Sequence, residues 1–393
     1  MNLDWLIIGG GIHGVHIAAR LLGEANVELE KVRVIDPGER LLERWRCCTE
    51  TTGMLFLRSP SVHNLDPDPW SLNNLARKQQ LSGMTVFAPP YNRPNLQLFN
   101  DHCDDVIDEY EIDGIHIRAK ATDCSLDCNG ATVSLSTGEE ISSTNIVIAI
   151  GSGEQPEWPE WAPENSNRVH HVFEQDFDGW PSSKESVVVV GGGISAGQIA
   201  LKLVDEGHEV NLVSRHEIRE NQFDSDPGWL GPRNMNTFSK VKDLEKRRTM
   251  ITEARHKGSM SPDVVAAIEN QKSRGRLQHH IGEIGKVGLQ NENLTISMKS
   301  GDEIKAQRVL LATGFSGYRP GGSFIDQLVE SASLPCASCG YPIVNESLCW
   351  HNGVYVSGPL AELELGPASR NISGARKAAE RIVAEAILKQ KAN

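Results

Sequence analysis

Apolar runs and helix-like stretches alternate twice along this chain in the same order. The first run ends in Leu6-Ile7-Ile8, and the second is Val187-Val188-Val189-Val190. Each run is followed by a glycine-rich segment and then by a stretch in which apolar residues have helical spacing. A further apolar run, at 32–35 or at 210–213, completes each repeat. This pattern predicts two β-α-β units with buried parallel strands.

Small residues fill both glycine-rich segments. They are Gly9, Gly11 and Gly14 in the first unit and Gly191, Gly193, Ser195 and Ala196 in the second. In such a turn the first glycine permits the tight bend and the second lets the backbone approach a diphosphate. The third position must be small so that helix and strand pack closely. The diphosphate then lies at a helix N-terminus, where free N–H groups and the dipole favour an anion. Two such turns predict two bound dinucleotides.

The residues that end the second strand of each unit differ. Asp36 lies where a carboxylate accepts hydrogen bonds from a ribose with free hydroxyls, so we predict FAD in the first site. Ser214 and Arg215 lie at the matching place in the second unit. Because a guanidinium pairs with a 2′-phosphate that a carboxylate would repel, we predict NADPH there. The alternatives are that Asp36 only begins a turn and that Arg215 is a solvated surface charge.

The last strand and helix of the chain have no unit of their own to complete. An apolar run at 353–357 ends in Gly358, and an amphipathic helix is predicted from about 372 to 389. Both fit best if the chain returns to the first unit after visiting the second. The helix then directs its N-terminus, near Asn371, at the flavin, where the positive end of its dipole stabilises an anionic reduced ring.

We therefore predict an α/β fold with two Rossmann-like dinucleotide-binding domains, one nested within the other. The FAD-binding domain is discontinuous and comprises residues 1–184 and 317–393. The NADPH-binding domain comprises residues 185–316 and carries a helical insertion at 226–280.

Charge and apolar patterning exclude some classes of partner. The 393 residues carry 39 basic and 52 acidic side chains, a net charge of -13, which argues against nucleic acid and anionic membranes as partners. No apolar run has the length of a membrane span, and the N-terminus lacks a cationic region and a cleavage site. The expectation is a cytoplasmic protein that is able to form a homo-oligomer.

The eight cysteines are expected to be mostly free thiols, as in a cytosolic chain. Cys336 and Cys339 form a CxxC that, with Cys349 and His351, is open to interpretation as a zinc knuckle or as a redox dithiol. The second CxxC of a zinc ribbon is missing, so an ordinary loop is favoured and no metal site is predicted.

Several motifs resemble those of known flavoproteins. The paired glycine turns, Ala312-Thr313-Gly314-Phe315 and the strand at 353–358 are similar to two-dinucleotide flavoproteins over nearly the whole chain. In more detail, the sequence resembles the flavin monooxygenase superfamily, especially the amino acid (lysine or ornithine) N-hydroxylating monooxygenases. The segments that carry this likeness are Gly53-Met54, Ser59, Asn64-Leu65, Arg93-Pro94, Phe99-Asn100, and Gly366-Pro367 with Asn371. The resemblance implies that Gly314, Gly358 and Asn371 bind cofactor.

The resemblance implies a reaction but leaves the substrate open. It implies that NADPH reduces FAD and that a flavin C4a-hydroperoxide, formed with molecular oxygen, transfers one oxygen to a small amine or sulfide. The family's substrate-binding lysine falls on His63 and its flavin-side glutamine on Arg58, so these two residues are the predicted catalytic pair. The alternatives are that Arg58 is a surface charge or contacts a phosphate, and that His63 is a hydrogen-bonded histidine in a loop. The alternatives are an NADPH-dependent reductase of a disulfide or small electrophile, and a non-enzymatic flavin-binding regulator.

Overall fold

The computed structural model describes residues 3–164, 166–290 and 293–392 of the chain. Its strands are numbered in chain order. They are β1 (Leu3–Ile8), β2 (Val32–Asp36), β3 (Phe87–Ala88), β4 (Arg93–Pro94), β5 (His116–Arg118), β6 (Ala121–Asp127), β7 (Gly130–Leu135), β8 (Glu140–Ile148), β9 (Val169–His171), β10 (Ser186–Val190), β11 (Glu209–Ser214), β12 (Arg219–Glu220), β13 (Ser259–Met260), β14 (Leu277–Ile281), β15 (Ile284–Gln290), β16 (Asn293–Met298), β17 (Glu303–Ala306), β18 (Arg308–Leu311), β19 (Cys349–His351) and β20 (Val354–Val356).

The α-helices lie between these strands and at the end of the chain. They are α1 (Ile12–Gly23), α2 (Glu43–Thr52), α3 (Ser71–Lys78), α4 (Leu96–Glu109), α5 (Ile194–Asp205), α6 (Pro232–Phe238), α7 (Leu244–Ala254), α8 (Pro262–Ser273), α9 (Gly322–Ala332), α10 (Glu362–Leu365) and α11 (Ile372–Ala392). Within the described residues, no helix combines the length and apolar character that a membrane crossing needs.

The first sheet joins strands from both ends of the chain. Its order is β19-β20-β8-β1-β2-β5, and the β6–β7 hairpin is attached through β8. β1 lies parallel to both β2 and β8, and β20 lies parallel to β8 on the other side. The β-branched and aliphatic side chains of these strands are buried, which suits a parallel sheet covered on both faces. Helix α11 packs against α1, so the end of the chain completes the first unit.

The second sheet repeats the pattern with residues from the middle of the chain. Its order is β14-β11-β10-β18-β9, and every pairing in it is parallel. Val187 to Val189 in β10 are fully buried at the centre of the sheet. A separate antiparallel sheet of β15, β16 and β17 packs beside it. The predicted fold class, with the second Rossmann-like unit nested within the first, is confirmed.

The structure departs from the predicted domain bounds in two places, and the division itself stays a prediction. Strand β9 lies upstream of residue 185 but pairs with β18 in the second sheet. The apolar pattern of Val-His-His is weak, and backbone hydrogen bonds define this edge strand: Val309 N donates to Arg168 O and Val172 N to Leu311 O. The predicted helical insertion at 226–280 contains α6 and α7, but β14 within it pairs with β11 and α8 packs on α5. Its last third is therefore part of the second unit's own framework.

Candidate functional site

A large cavity lies where the two units meet. Its volume is about 1410 Å³, and it is open to solvent on one side. The first unit contributes Arg58, the turn after β8 at Gly151–Gly153, and Asn371 at the start of α11. The second unit contributes the turn at Gly191–Gly193 and the strand-end residue Arg215. The carboxyl ends of parallel strands from both sheets thus face one space, which is where ligands bind in open α/β sheets.

The first glycine turn is held in the geometry that the motif requires. Gly9 has φ +112°, a conformation that side chains rarely adopt, and a Cβ at Gly14 would lie 1.8 Å from the carbonyl oxygen of Gly9. By contrast, a Cβ at Gly11 would meet nothing within 4 Å. Gly11 precedes α1 and makes no side-chain cap, so the first N–H groups of the helix remain available. This free end has the space and the donors that a diphosphate needs.

Asp36 links the first turn to the end of β2. One carboxylate oxygen accepts a hydrogen bond from Gly10 N at 2.7 Å, and the other accepts one from Gly38 N at 2.9 Å. A carboxylate has about four acceptor positions, so two remain for the hydroxyls of a ribose. The four predicted residues of the first site therefore lie together at one edge of the sheet. None of them lines the large cavity, which belongs to the second site and the junction of the units.

The second glycine turn has the same construction. Gly191 has φ +153°, and a Cβ there would lie 2.5 Å from the carbonyl oxygen of Ala312. Gly193 is the uncapped residue before α5 and lines the cavity together with Ser195. Ala196 is fully buried against the strand, as the small third position of the motif requires. The second turn thus also presents free helix N–H groups to a cavity.

Ser214 and Arg215 have different surroundings although they are neighbours. The Ser214 side chain is buried, and its hydroxyl donates to His216 O at 2.7 Å while Nε2 of His279 lies 2.8 Å away. Its one proton is therefore engaged within the protein. Both residues line the cavity, and Arg215 is exposed there. Of the two, only Arg215 has its donors free to meet a phosphate in this arrangement.

The two predicted catalytic residues are separated. Arg58 lines the cavity, but its guanidinium donates to Gln222 O at 3.0 Å and to Asn221 O at 2.7 Å in the second unit. His63 does not line the cavity. Burial, followed by the charges of Arg376 and Lys377, lowers the pKa of His63 to about 4, so the ring is neutral at neutral pH. Arg58 ties the units together, and the roles of both residues in catalysis stay predictions.

The three residues assigned by resemblance lie along the junction. Gly314 has φ +88° and lines the cavity directly after β18. Asn371 lines it from the N-terminus of α11. Gly358, with φ +65°, lies behind this surface, where a Cβ would approach the ring of His13 at 3.7 Å. Their contacts with a cofactor also stay predictions.

The sequence pattern did not identify one group of charged residues in this cavity. Arg248, Arg255 and Lys257 come from α7 and the loop after it, and Arg370 comes from the segment before α11. Arg248 and Arg255 lie within the basic run at 240–255, which also contains the acidic residues Asp243, Glu245 and Glu253. A basic run in an otherwise acidic chain was the one indication of this group in the sequence. Arg370 lies far from the run along the chain, and only the fold brings the two together.

The cysteines lie away from this cavity. All eight are free, and in the part of the chain that the structure describes none of them lines the cavity. Cys339 packs at the edge of an apolar cluster with Phe238 and Tyr341. Burial raises the pKa of the Cys336 thiol, which disfavours the reactive thiolate. Across the described ranges, no group of three or more histidine, cysteine or acidic side chains could hold a metal ion.

Comparisons with known proteins agree with this geometry. Residues 6–257 match the sequence profile of the family described as pyridine nucleotide-disulphide oxidoreductase. The structure is similar to the ornithine N-hydroxylase of Kutzneria sp. 744, solved with reduced FAD, NADP⁺ and L-ornithine, at a TM-score of 0.78 and 16% identity over 100% of both chains. It is also similar to the ornithine hydroxylase of Pseudomonas aeruginosa, at a TM-score of 0.77 and 16% identity over 99% of this chain and 100% of that one.

A third structure represents a different activity on the same fold. The bacillithiol disulfide reductase of Bacillus cereus has a TM-score of 0.62 and 17% identity over 99% of this chain and 100% of that one. At such identities the likeness concerns the fold. No curated protein matches the sequence significantly. The predicted resemblance to two-dinucleotide flavoproteins is confirmed.

Proposed function

This chain belongs to the pyridine nucleotide-disulphide oxidoreductase family, and on that premise we propose that it is an FAD-dependent monooxygenase reduced by NADPH. Its substrate is a small nucleophile such as an amine or a sulfide. The observation that carries the proposal is the shared cavity. The second glycine turn and the N-terminus of α11, toward which we place the flavin, line one continuous space. Hydride donor and flavin would therefore meet in a single cavity, together with the substrate.

The chain offers suitable partners for both cofactors. FAD would be held by the free N-terminus of α1 at Gly11 and by the two remaining acceptor positions of Asp36. NADPH would be held by the N-terminus of α5 at Gly193, with Arg215 at its 2′-phosphate. Once reduced by the nucleotide, FAD supplies the activation of oxygen, and the protein supplies orientation and exclusion of water.

Arg58 has a positioning role in this proposal. Its two hydrogen bonds to the backbone of residues 221 and 222 fix the segment after α2 against the second unit. Burial lowers the pKa of the Arg58 guanidinium, with Asp224 acting in the opposite direction, but an arginine remains charged at neutral pH. The two hydrogen bonds of Arg58 would thus keep the two cofactor sites at a constant separation.

The absence of thiols in the cavity favours oxygen transfer over disulfide reduction. A reductase that uses a protein dithiol needs a cysteine pair at the flavin, and among the described residues none lies on the cavity wall. The solved ornithine hydroxylases also match this chain better in fold than the disulfide reductase does. One of those hydroxylases was solved with L-ornithine, whereas the resemblance places His63 and Arg58 of this chain where that family has its lysine and glutamine.

Stopped-flow spectroscopy tests the proposal. The FAD-loaded protein is reduced with NADPH without oxygen and then mixed with oxygenated buffer. We expect an oxygen-derived flavin spectrum that differs from both the reduced and the oxidised forms and persists well beyond mixing. Immediate return to the oxidised spectrum, with rapid turnover of a disulfide, would instead support the reductase. If NADPH fails to reduce the flavin, the result would instead support the non-enzymatic flavin-binding regulator.

A further inference from the structure

The large cavity carries more positive charge than the rest of the molecule. The whole chain has a net charge of -13, yet eight of the residues that line the cavity are lysine or arginine and only five are aspartate or glutamate. Four of these cations influence one another electrostatically and form what we call the cation cluster: Arg248, Arg255, Lys257 and Arg370. The cluster lies where α7 and the loop after it face α10 and the start of α11.

The carboxylates within the cluster are already engaged. Glu362 is 1% exposed, forms an ion pair with Arg248 and accepts a hydrogen bond from Arg370 Nε at 2.8 Å. Asp224 pairs with Arg255 at 3.0 Å. Tyr341 provides a neutral partner, because its hydroxyl accepts a hydrogen bond from Arg370 at 3.0 Å. Two carboxylates against four cations leave an excess of two positive charges.

The unused donors belong to Lys257 and Arg255. In the described part of the chain, the Lys257 ammonium forms no ion pair or hydrogen bond, and Arg255 Nε is buried without an acceptor. Burial, and after it the charges of Arg255, Arg370 and Arg248, lowers the pKa of Lys257. Cations held together in this way are unfavourable unless an anion joins them.

The nucleotide accounts for only part of this charge. NADPH carries its phosphates at the adenosine end and in the diphosphate, which the Gly191–Gly193 turn and Arg215 are placed to bind. Its nicotinamide end carries no negative charge and becomes positive on oxidation. Arg248 and Arg370 lie against the first unit, where that end would meet the flavin. The cavity also exceeds the roughly 300–1,000 Å³ of a pocket for one small ligand.

We propose that the cation cluster binds a carboxylate of the substrate, so that the enzyme prefers an acidic small molecule to a cationic amine. Lys257 supplies the new hydrogen bonds, and Arg248, Arg255 and Arg370 add long-range attraction. The inference rests on the proposed function, since it names the substrate class of the same site. It predicts that a diamine or a basic amino acid side chain is repelled from this end of the cavity.

Binding measured without turnover separates this inference from the monooxygenase proposal. The FAD-loaded protein is saturated with NADP⁺, which occupies the phosphate partners, and is titrated calorimetrically with glutarate and with 1,5-diaminopentane. These probes have the same chain length and opposite charge. We expect glutarate to bind and the diamine not to bind. Lys257→Ala should weaken glutarate binding about tenfold or more, because a charge-assisted hydrogen bond is lost, while NADP⁺ affinity is unchanged.

Lys299→Ala is the matched control, since Lys299 lines the same cavity but is already paired with Glu283 at 2.6 Å. It should leave glutarate affinity unchanged, and Lys257→Arg should retain most of it. Because Lys257 is exposed, its replacement is not expected to unfold the protein. Equal binding of the diamine, or a loss of NADP⁺ affinity in place of glutarate affinity in Lys257→Ala, would overturn the inference. The latter result would assign the lysine to the nucleotide diphosphate.

Discussion

The two nucleotide sites share one backbone framework but use the end of the second strand in different ways. In the first site Asp36 accepts hydrogen bonds from the backbone of Gly10 and Gly38, so the carboxylate that would bind a ribose also fixes the turn. In the second site buried Ser214 fixes the loop through its bond to His216 O, while exposed Arg215 faces the cavity. In the proposed function, Asp36 both holds the turn and binds the ligand in the first site, whereas Ser214 and Arg215 divide these two roles in the second.

This difference has a consequence for substitution. A change at Asp36 removes a ligand contact and leaves two backbone N–H groups without their acceptor, so both binding and stability suffer. A change at Arg215 removes only a solvated charge, so nucleotide preference can change while the fold is kept. The first site is therefore suited to a permanently bound cofactor, and the second to a nucleotide that enters and leaves.

The largest expected effect concerns the first turn. Gly11→Val should abolish FAD binding, because the two methyl groups would extend into the open space where the diphosphate must lie. Gly11 has φ -80°, a conformation that valine adopts, so the protein should still fold. The flavin-to-protein ratio after gel filtration measures the loss, and circular dichroism checks the fold.

Gly114→Val is the matched control for that experiment. Gly114 is exposed and lies just before β5, outside the glycine turn, and a Cβ there would also meet nothing within 4 Å. This variant should remain fully yellow. If Gly11→Val retains stoichiometric FAD, the first turn is not the flavin site and the comparison between the two sites fails.

Acid should destabilise the first unit strongly. Burial lowers the pKa of four of its histidines to about 4 or below, at positions 13, 16, 63 and 102. A histidine whose folded pKa lies below its unfolded value of 6.5 contributes full stability above pH 6.5 and loses it as the pH falls toward the folded pKa. For fully buried His16 the loss at pH 5 is about 2 kcal/mol. Urea unfolding and flavin release, measured at pH 7.5 and pH 5, check this expectation.

A variant can assign that acid sensitivity to one residue. His16 Nδ1 lies 2.6 Å from Leu65 O, and a glutamine amide can replace this hydrogen bond without titrating. His16→Gln should therefore show a smaller fall in the free energy of unfolding between the two pH values, by about 2 kcal/mol, whatever its stability at pH 7.5. An unchanged pH dependence would show that His16 is not among the groups responsible.

The next effect concerns nucleotide choice. Arg215→Ala should cost about tenfold or more in flavin reduction by NADPH relative to NADH, because one charge-assisted bond to the 2′-phosphate is lost. Ser214→Ala should reduce stability and leave the preference nearly unchanged, since the Ser214 hydroxyl is bonded within the protein. Rates of anaerobic flavin reduction with each nucleotide test both variants. A wild type that uses both nucleotides equally, or a Ser214→Ala variant that loses the preference, would contradict this division of tasks.

The glycine turns were predictable from sequence because their requirements are local. A positive φ at Gly9 and the close approach at Gly14 can be met only by glycine at fixed spacing, and apolar β-branched runs mark the adjoining strands. The return of the chain to the first sheet was also predictable, because β20 and α11 complete an otherwise unfinished unit. The turns need information from only a few neighbouring residues, and the return needs only the count of strands and helices in each unit.

The features that sequence missed depend on distant segments. Strand β9 is defined by backbone hydrogen bonds to β18, more than a hundred residues away along the chain, and not by an apolar pattern. Ser214 stays a predicted nucleotide contact, but the bond of its hydroxyl to His216 O is one that no strand-end pattern reveals. The fold places His63 beside α11 and off the cavity wall, which the sequence did not reveal, and its role in catalysis stays a prediction.

The smallest expected effect concerns the CxxC. In the proposed function, electrons pass from NADPH to the flavin and then to oxygen, and no other group takes part. Cys336 and Cys339 lie off the cavity wall, and burial raises the pKa of the Cys336 thiol so that it stays protonated. The double variant Cys336→Ser, Cys339→Ser should therefore keep the wild-type rates of flavin reduction and reoxidation.

Stability and turnover should separate in that double variant. Cys339 packs at the edge of the apolar cluster around Phe238 and Tyr341, so the more polar hydroxyl should lower the melting temperature slightly. Oxygen transfer uses no thiol, so turnover per bound flavin should not change. A double variant that is folded and flavin-loaded but no longer turns over would mean that electrons pass through the thiols. The two nucleotide sites would then be only part of the path, and the disulfide reductase would become the better description of the enzyme.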